Sequence, residues 1–252
     1  MDLQGRHALV TGGGRGIGRA VAAALTRAGC AVTVVGRSEK SLQDTAAAGD
    51  ATGWIVGDVT QPEAMIDHLR VIETVRGPVD ILVANAGTAE SAPFSETTPD
   101  QFRGMFELNV MGVIHATQAV LAGMIQRKFG RVVAIASTAG LKGYGYVSAY
   151  AASKHAVVGL VRSLAIETAK TGVTVNAVCP GYTDTEMMRE SVARIVQKTG
   201  RTPAEAEAAI IKTNPLGRFV KPQEVAAAVL YLCSVDAASV TGSTLVVAGG
   251  EL

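Results

Sequence analysis

Cysteine is nearly absent from this sequence. Cys30, Cys179 and Cys233 are the only three, widely separated and each set in an apolar run. An odd number at such spacing excludes a disulfide framework, and without a Cys-x-x-Cys pair no zinc site is expected, so the thiols read as core residues of a reducing compartment. An excess of one charge is lacking too: 23 Lys and Arg against 22 Asp and Glu leave a net +1. No global field then draws the chain to nucleic acid or to an anionic membrane. Nor does any stretch approach roughly 18 consecutive apolar residues. Met1 and Asp2 lead straight into a strand-like run with neither a basic n-region nor an apolar h-region. The expectation is a cytoplasmic protein with no membrane segment. Aromatic residues are only 4% while hydrophobic residues are 48%, a balance that suits Val/Ile/Ala-rich strands packed on alanine-rich helices.

Read in order, short apolar runs alternate with helical stretches. Residues 7–11 form a first strand, followed by Gly12-Gly-Gly14-Arg15-Gly16-Ile17-Gly18 and an alanine-rich helix closed by Gly29. Strand, glycine turn and helix in that order are the context a dinucleotide fingerprint requires, because bare glycines let a pyrophosphate approach the backbone at a helix N-terminus. Further strands are expected at 31–35, 53–56, 79–84, 131–136, 173–178 and 244–247. Their polar or glycine-rich ends collect on one side of a parallel sheet. Helices are expected at 62–75, from 99 to about 124, from Tyr150 onward, and at 222–233. The fold class is α/β: a single doubly wound Rossmann-type domain over residues 1–252, with a seven-stranded, mainly parallel sheet and helices on both faces. A polar helical stretch at about 183–214 interrupts the rhythm and is a candidate substrate lid.

One more absence bears on chemistry. An acid about 20 residues past the glycines would accept hydrogen bonds from an NAD ribose, and none is there. Arg37 ends the second strand instead, and Arg15 lies within the glycine loop. The two are either solvated charges or a clamp for a 2′-phosphate, which favours NADP(H) over NAD(H). Asp58 is a helix N-cap or a nucleotide contact at the sheet edge, with Val59 beside it, and Asn85-Ala86-Gly87 ends the fourth strand. Asn109 in mid-helix is either solvent-facing or placed for a purpose, since its amide competes for backbone hydrogen bonds. Four residues separate Tyr150 from Lys154, so a helix brings phenol and ammonium to one face, where the cation favours the phenolate.

Together these motifs resemble the short-chain dehydrogenase/reductase family across essentially the whole chain. Thr11-Gly-Gly-Gly-Arg-Gly-Ile-Gly18 looks like its glycine loop, and Asn85-Ala86-Gly87 like its Asn-Ala-Gly motif. Asn109, Ser137, Tyr150 and Lys154 fall in the order of its catalytic tetrad, and Pro180-Gly181 through Thr183 and Thr185 resembles its cofactor-closing segment. The resemblance implies that Tyr150 exchanges a proton with a carbonyl or alcohol oxygen that Ser137 holds. Lys154 would lower the Tyr150 pKa and bind the nicotinamide ribose, and Asn109 would hold a relay water. It further implies that Asp58 meets the adenine, Asn85 the adenosine ribose and Thr185 the carboxamide.

The pattern is most similar to 3-oxoacyl thioester reductases acting on carrier-protein or CoA substrates. Tyr144, Tyr146, Tyr182, Met187 and Met188 are expected to line an apolar pocket with Ser137. An apolar or aromatic ketone is the alternative substrate for such a pocket. Arg127, Lys128 and Arg131 are either a solvated turn or a basic patch for a phosphopantetheine or an acidic partner, with Thr171 standing where carrier-protein reductases keep a second basic residue. The family is commonly a homotetramer. A serine hydrolase would need a Gly-x-Ser-x-Gly elbow, which is absent, and a non-catalytic nucleotide-binding protein would be expected to have lost the tetrad.

Overall fold

A computed structural model describes residues 3–212 and 214–252; Met1, Asp2 and Thr213, the last inside the expected lid, lie outside them. Seven parallel strands form one sheet in the order β3-β2-β1-β4-β5-β6-β7. They are β1 (His7–Thr11), β2 (Ala31–Gly36), β3 (Gly53–Val56), β4 (Ile81–Ala84), β5 (Gly130–Ile135), β6 (Val173–Pro180) and β7 (Thr244–Val247). Period-two alternation divides their side chains between two cores. Leu9, Val35, Leu82, Ala84, Val132, Ala134 and Val175 face one side, while Ala8, Val10, Val34, Ile81, Val83 and Val133 face the other.

Helices cover both faces. α1 (Gly16–Arg27), α2 (Glu39–Ala47) and α9 (Pro222–Cys233) bury Leu25, Leu42 and Val229 on one of them. α3 (Pro62–Arg76), α5 (Gly112–Gln126) and α6 (Ser148–Thr168) bury Leu69, Val120 and Val161 on the other. The strand order reverses between β1 and β4, so a crevice opens at the carboxyl ends of these two strands. All three cysteines are buried, and burial pushes the Cys30 thiol up to about 12 and the Cys179 thiol up to about 11.

Three stretches differ from the sequence expectation. The helix from 99 to about 124 is interrupted: α4 (Pro99–Phe106) passes through a π-helical turn, Glu107–Met111, before α5. Helical periodicity cannot register one inserted residue, and such turns recur at functional positions. Pro99–Gln126 is long and apolar enough to cross a membrane, yet Val113, Ala116, Val120 and Met124 are packed in the core. The stretch near 183–214 is two helices, α7 (Glu186–Thr199) and α8 (Pro203–Ile211), because Gly200 ends the first in the left-handed conformation and Thr202 caps the second. Helix α2 had no sequence expectation, and Ser38 caps it by accepting from the Ser41 N–H.

The basic cluster divides, with Lys128 exposed and both arginines bound to backbone carbonyls. Arg131 is 4% exposed, with Nη1 donating to the Gly130 carbonyl at 2.9 Å and the guanidinium lying 4.6 Å from the Phe129 ring centroid. Arg127 donates to the Val79 carbonyl at 2.7 Å and lies 3.7 Å from Asp80. These arginines tie together the amino ends of the strands, the edge opposite the crevice. Thr171 likewise spends its hydroxyl on the Thr168 carbonyl at 2.7 Å.

Candidate active site

The carboxyl edge of the sheet opens into a cleft of about 1350 Å³. Its floor begins at the turn after β1. Gly12 and Gly16 have φ of +66° and +53°, which L side chains rarely adopt, and a Cβ on Gly18 would stand 2.3 Å from the Gly12 carbonyl oxygen. Thr11 and Asn85 fix this turn to β4. The Thr11 hydroxyl accepts from the Asn85 and Ala86 N–H groups at 3.0 and 3.1 Å, and Asn85 Nδ2 donates to the Thr11 and Gly12 carbonyls at 2.9 and 3.2 Å. The Asn85 amide nitrogen is therefore committed to holding the glycine loop. The sequence quoted Thr11 as a motif residue without a role; the register of β1 against β4 supplies one.

Gly14, Arg15, Ile17, Arg37, Asp58, Val59, Ala86 and Gly87 line the same cleft. Arg15 and Arg37 are both exposed, and Arg15 Nη1 stands 3.9 Å from Glu190 of α7. Beside Arg37, the amino end of α2 presents Ser38 and Ser41. Two guanidinium groups and a helix N-terminus could hold a phosphate here. Asp58 is not the helix cap, a position Gln61 takes; its Oδ1 accepts from the Thr60 N–H and hydroxyl at 3.0 and 2.9 Å.

On the opposite wall, Ser137 stands two residues past the end of β5, and its Oγ accepts from the Ala139 N–H at 3.1 Å. Tyr150 and Lys154 come from the first two turns of α6, which starts at Ser148, ahead of the expected Tyr150. Burial raises the Tyr150 pKa, and a hydrogen bond with Ser137 opposes that rise. Lys154 is 5% exposed and burial lowers its pKa to about 8. Its Nζ donates to the Ile135 carbonyl at 2.8 Å and stands 5.8 Å from the Tyr150 ring centroid. A hydroxyl pair backed by a buried amine can pass a proton to or from an oxygen held between the hydroxyls.

Asn109 lies one layer behind this wall, fully buried, and does not face solvent. Its Oδ1 accepts from the Thr88 N–H at 2.9 Å, and its Nδ2 donates to the Thr88 carbonyl and to Ser153 Oγ, both at 3.0 Å. Ser153 Oγ in turn donates to the Tyr150 carbonyl at 2.7 Å. The π-helical turn thus joins the segment after Gly87 to the turn of α6 that carries Tyr150. A Cβ on Gly87 would lie 2.9 Å from Asn109 Oδ1 and 3.6 Å from Lys154 Nζ, so the bare glycine keeps the space between them open.

The outer wall is aromatic. Tyr144 and Tyr182 meet edge to face at 6.3 Å, and Tyr146, Met187 and Met188 line the cleft with them. Tyr144 exchanges a hydrogen bond with Thr138 Oγ1 at 2.7 Å and donates to the carboxylate of Glu251. The Glu251 side chain is 1% exposed, and Lys142 Nζ lies 3.5 Å from it. No sequence motif pointed to Glu251, because only the return of the chain after β7 brings it there. Pro180, Gly181 and Thr183 form the rim, and Thr185 caps α7 with its Cγ2 3.2 Å from a Gly16 Cβ position. Of the residues expected at the site, Asn109 alone does not line the cleft.

A doubly wound sheet with a glycine cradle at its switch point and a Ser–Tyr–Lys group across the cleft defines a nucleotide-dependent oxidoreductase class. The short chain dehydrogenase family profile matches residues 6–195, and the chain belongs to that family. Over 98% of both chains it is 39% identical to an acetoacetyl-CoA reductase of Shinella zoogloeoides. It is 36% identical to a 3-oxoacyl-acyl-carrier-protein reductase of Vibrio cholerae, over 99% of this chain and 98% of the other. The crystal structure of an actinorhodin polyketide ketoreductase variant with NADPH superposes with a TM-score of 0.94 at 37% identity, covering 100% of this chain and 99% of that one.

Proposed function

We propose that this chain is an NADP(H)-dependent reductase that converts 3-oxoacyl thioesters to their 3-hydroxyacyl forms. The observation that carries the reading is one cleft holding both the glycine cradle with Arg15 and Arg37 and, opposite them, the Ser137–Tyr150 hydroxyl pair over Lys154. The cradle fits a dinucleotide because its glycines permit the tight turn, Gly12 and Gly16 through positive φ and Gly18 by packing against the Gly12 carbonyl, so that the bare backbone at the start of α1 can meet a pyrophosphate. A nicotinamide cofactor, when bound, supplies or accepts the hydride. Ser137 holds the substrate oxygen, Tyr150 gives it a proton during reduction, and Lys154 stands behind as the cation that favours the phenolate. Asn109 positions Tyr150 through Ser153. Asp58, Val59 and the segment from Pro180 to Thr185 complete the cofactor contacts. The whole chain acts as a single catalytic domain in the cytoplasm, with α7 and α8 as its substrate lid.

The experiment follows reduced-cofactor absorbance with acetoacetyl-CoA, NADPH and NADH side by side, in wild type and Arg37→Asp. Wild type is expected to prefer NADPH. The variant loses a charge-assisted contact of ~1.5–3 kcal/mol, so the ratio of kcat/KM for the two cofactors should fall about 10- to 100-fold. An unchanged ratio removes Arg37 from the cofactor argument. The edge-to-face Tyr144–Tyr182 wall with Met187 and Met188 favours a second reading, a secondary-alcohol dehydrogenase for an apolar ketone. Consumption of an aryl or cyclic ketone with acetoacetyl-CoA left untouched would select it. We also propose a homotetramer, since Ile166 of α6 and Val246 on the edge strand β7 are 80% and 39% exposed. A monomer mass in sedimentation at micromolar concentration would refute it.

A further inference from the structure

Arg127, Lys128 and Arg131 lie outside the cleft, and a different group of cations lines it. Arg194 and Lys198 lie four residues apart on α7, and Arg201 follows just past its end; all three border the cleft. Helix α7 begins over the glycine loop, where Thr185 meets Gly16, and its 14 residues carry the chain about 20 Å away. The acidic residues Glu186 and Glu190 occupy its first turns, where Arg189 pairs with Asp184 at 3.0 Å, and Lys198 its last. A basic residue at a helix C-terminus complements the macrodipole wherever it points. The dipole does not require these side chains to line a cavity, nor does it occupy Arg194. That residue is half-buried, its Nη2 donates to Ser191 Oγ at 3.0 Å, and its Nε is shielded from solvent with no partner.

We propose that Arg194, Lys198 and Arg201 form a phosphate subsite for the coenzyme A portion of the substrate. The inference rests on the thioester reading of the same cleft. A pantetheine arm separates the thioester from its phosphates, so an anion subsite belongs at a distance from Tyr150, on the cleft wall that α7 provides. Phosphate on such an arm occurs both in coenzyme A and on a carrier protein. Three cations match the diphosphate and 3′-phosphate of coenzyme A better than the single phosphodiester of a carrier-bound arm. Carboxylates in the cleft, Asp58, Glu90, Glu96 and Glu186, lie on segments other than the distal turns of α7. Glu205 lies near Arg201, but its carboxylate accepts from the Thr202 N–H and hydroxyl at 2.8 and 2.9 Å.

The test compares wild type with the triple variant Arg194→Gln, Lys198→Gln, Arg201→Gln on acetoacetyl thioesters of pantetheine, 4′-phosphopantetheine and coenzyme A. Exposed charge pairs are individually modest, so the KM for the coenzyme A thioester is expected to rise about tenfold, with kcat and the KM for NADPH kept. The rise should be smaller for the phosphopantetheine thioester and absent for the pantetheine thioester. A wild-type KM for the coenzyme A thioester that climbs with salt, and a variant KM that does not, is expected too. Equal rises for all three substrates would mean that the side chains serve only the packing of α7, and would overturn the subsite. Equal rises for the two phosphorylated substrates would overturn the assignment to coenzyme A. Should wild type reduce none of the thioesters, the proposed function fails, and calorimetric titration of coenzyme A into the NADPH complex reads the subsite separately. Binding weakened about tenfold in the triple variant supports it, and no binding to wild type overturns it.

Discussion

Tyr150→Phe is expected to lower kcat/KM for acetoacetyl-CoA by about 10²- to 10⁴-fold, the range over which a positioned general acid contributes. The substitution removes one oxygen and keeps the ring. The first turns of α6 therefore stay packed, and the Ser153 bond to the Tyr150 backbone carbonyl is untouched. Binding of NADPH, read by fluorescence, is expected to persist. What disappears is the hydroxyl that shares a hydrogen bond with Ser137 on the ring beside the buried Lys154. Ser137→Ala should cost less, about 10²- to 10³-fold, because it removes an oxyanion donor and leaves the proton source in place. The double variant is expected to fall little below Tyr150→Phe, since groups that act as a unit are not additive. Full turnover by Tyr150→Phe would sink the proton-transfer role, and additive losses would mean that the two hydroxyls work separately.

Much of this site was legible before any coordinates, for a physical reason. Parallel strands with short returns must place their carboxyl ends together, so a motif found at each strand end is automatically a motif at one cleft. Gly12, Asn85, Ser137 and Pro180 needed no contact information to be grouped. Side chains that act through a second residue were harder to read. Asn109 carried a recognisable oddity, an amide in mid-helix, but its bonds to Thr88 and Ser153 depend on a π-helical turn that no periodicity reveals. Glu251 and its bond to Tyr144 arise from contact between segments more than a hundred residues apart. Charge was misread for a similar reason. Arg131 sits on a strand, where alternation sends it inward and burial among carbonyls satisfies it, while Arg194, Lys198 and Arg201 reach the cleft from the stretch expected to be a lid.

Lys154→Met is expected to move activity and stability differently. Burial lowers the Lys154 pKa from 10.5 to about 8, a difference that corresponds to about 3 kcal/mol. Its sign follows from linkage. Between pH 8 and 10.5 the unfolded chain binds more protons at this side chain than the folded one does, so the lysine's contribution to stability rises with pH across that window. Below about pH 8 the folded protein carries the full cost of a buried ammonium, offset in part by its bond to the Ile135 carbonyl. Methionine has similar length and no charge. It removes that cost at neutral pH and leaves the Ile135 carbonyl without this donor, at a loss of ~1–3 kcal/mol. The measurement is urea unfolding of both proteins, without cofactor, at several pH values from 7 to 10. The stability of wild type relative to the variant should increase by up to about 3 kcal/mol over the series. Comparing the two proteins cancels the alkaline loss from the buried thiols, which both share. In the same variant kcat/KM should fall about 10²-fold or more, because the Tyr150 phenol loses the cation that favours its ionised form. A flat stability difference across the series would mean that Lys154 keeps an ordinary pKa in the folded protein. The amine beside Tyr150 would then remain an ammonium well above neutral pH.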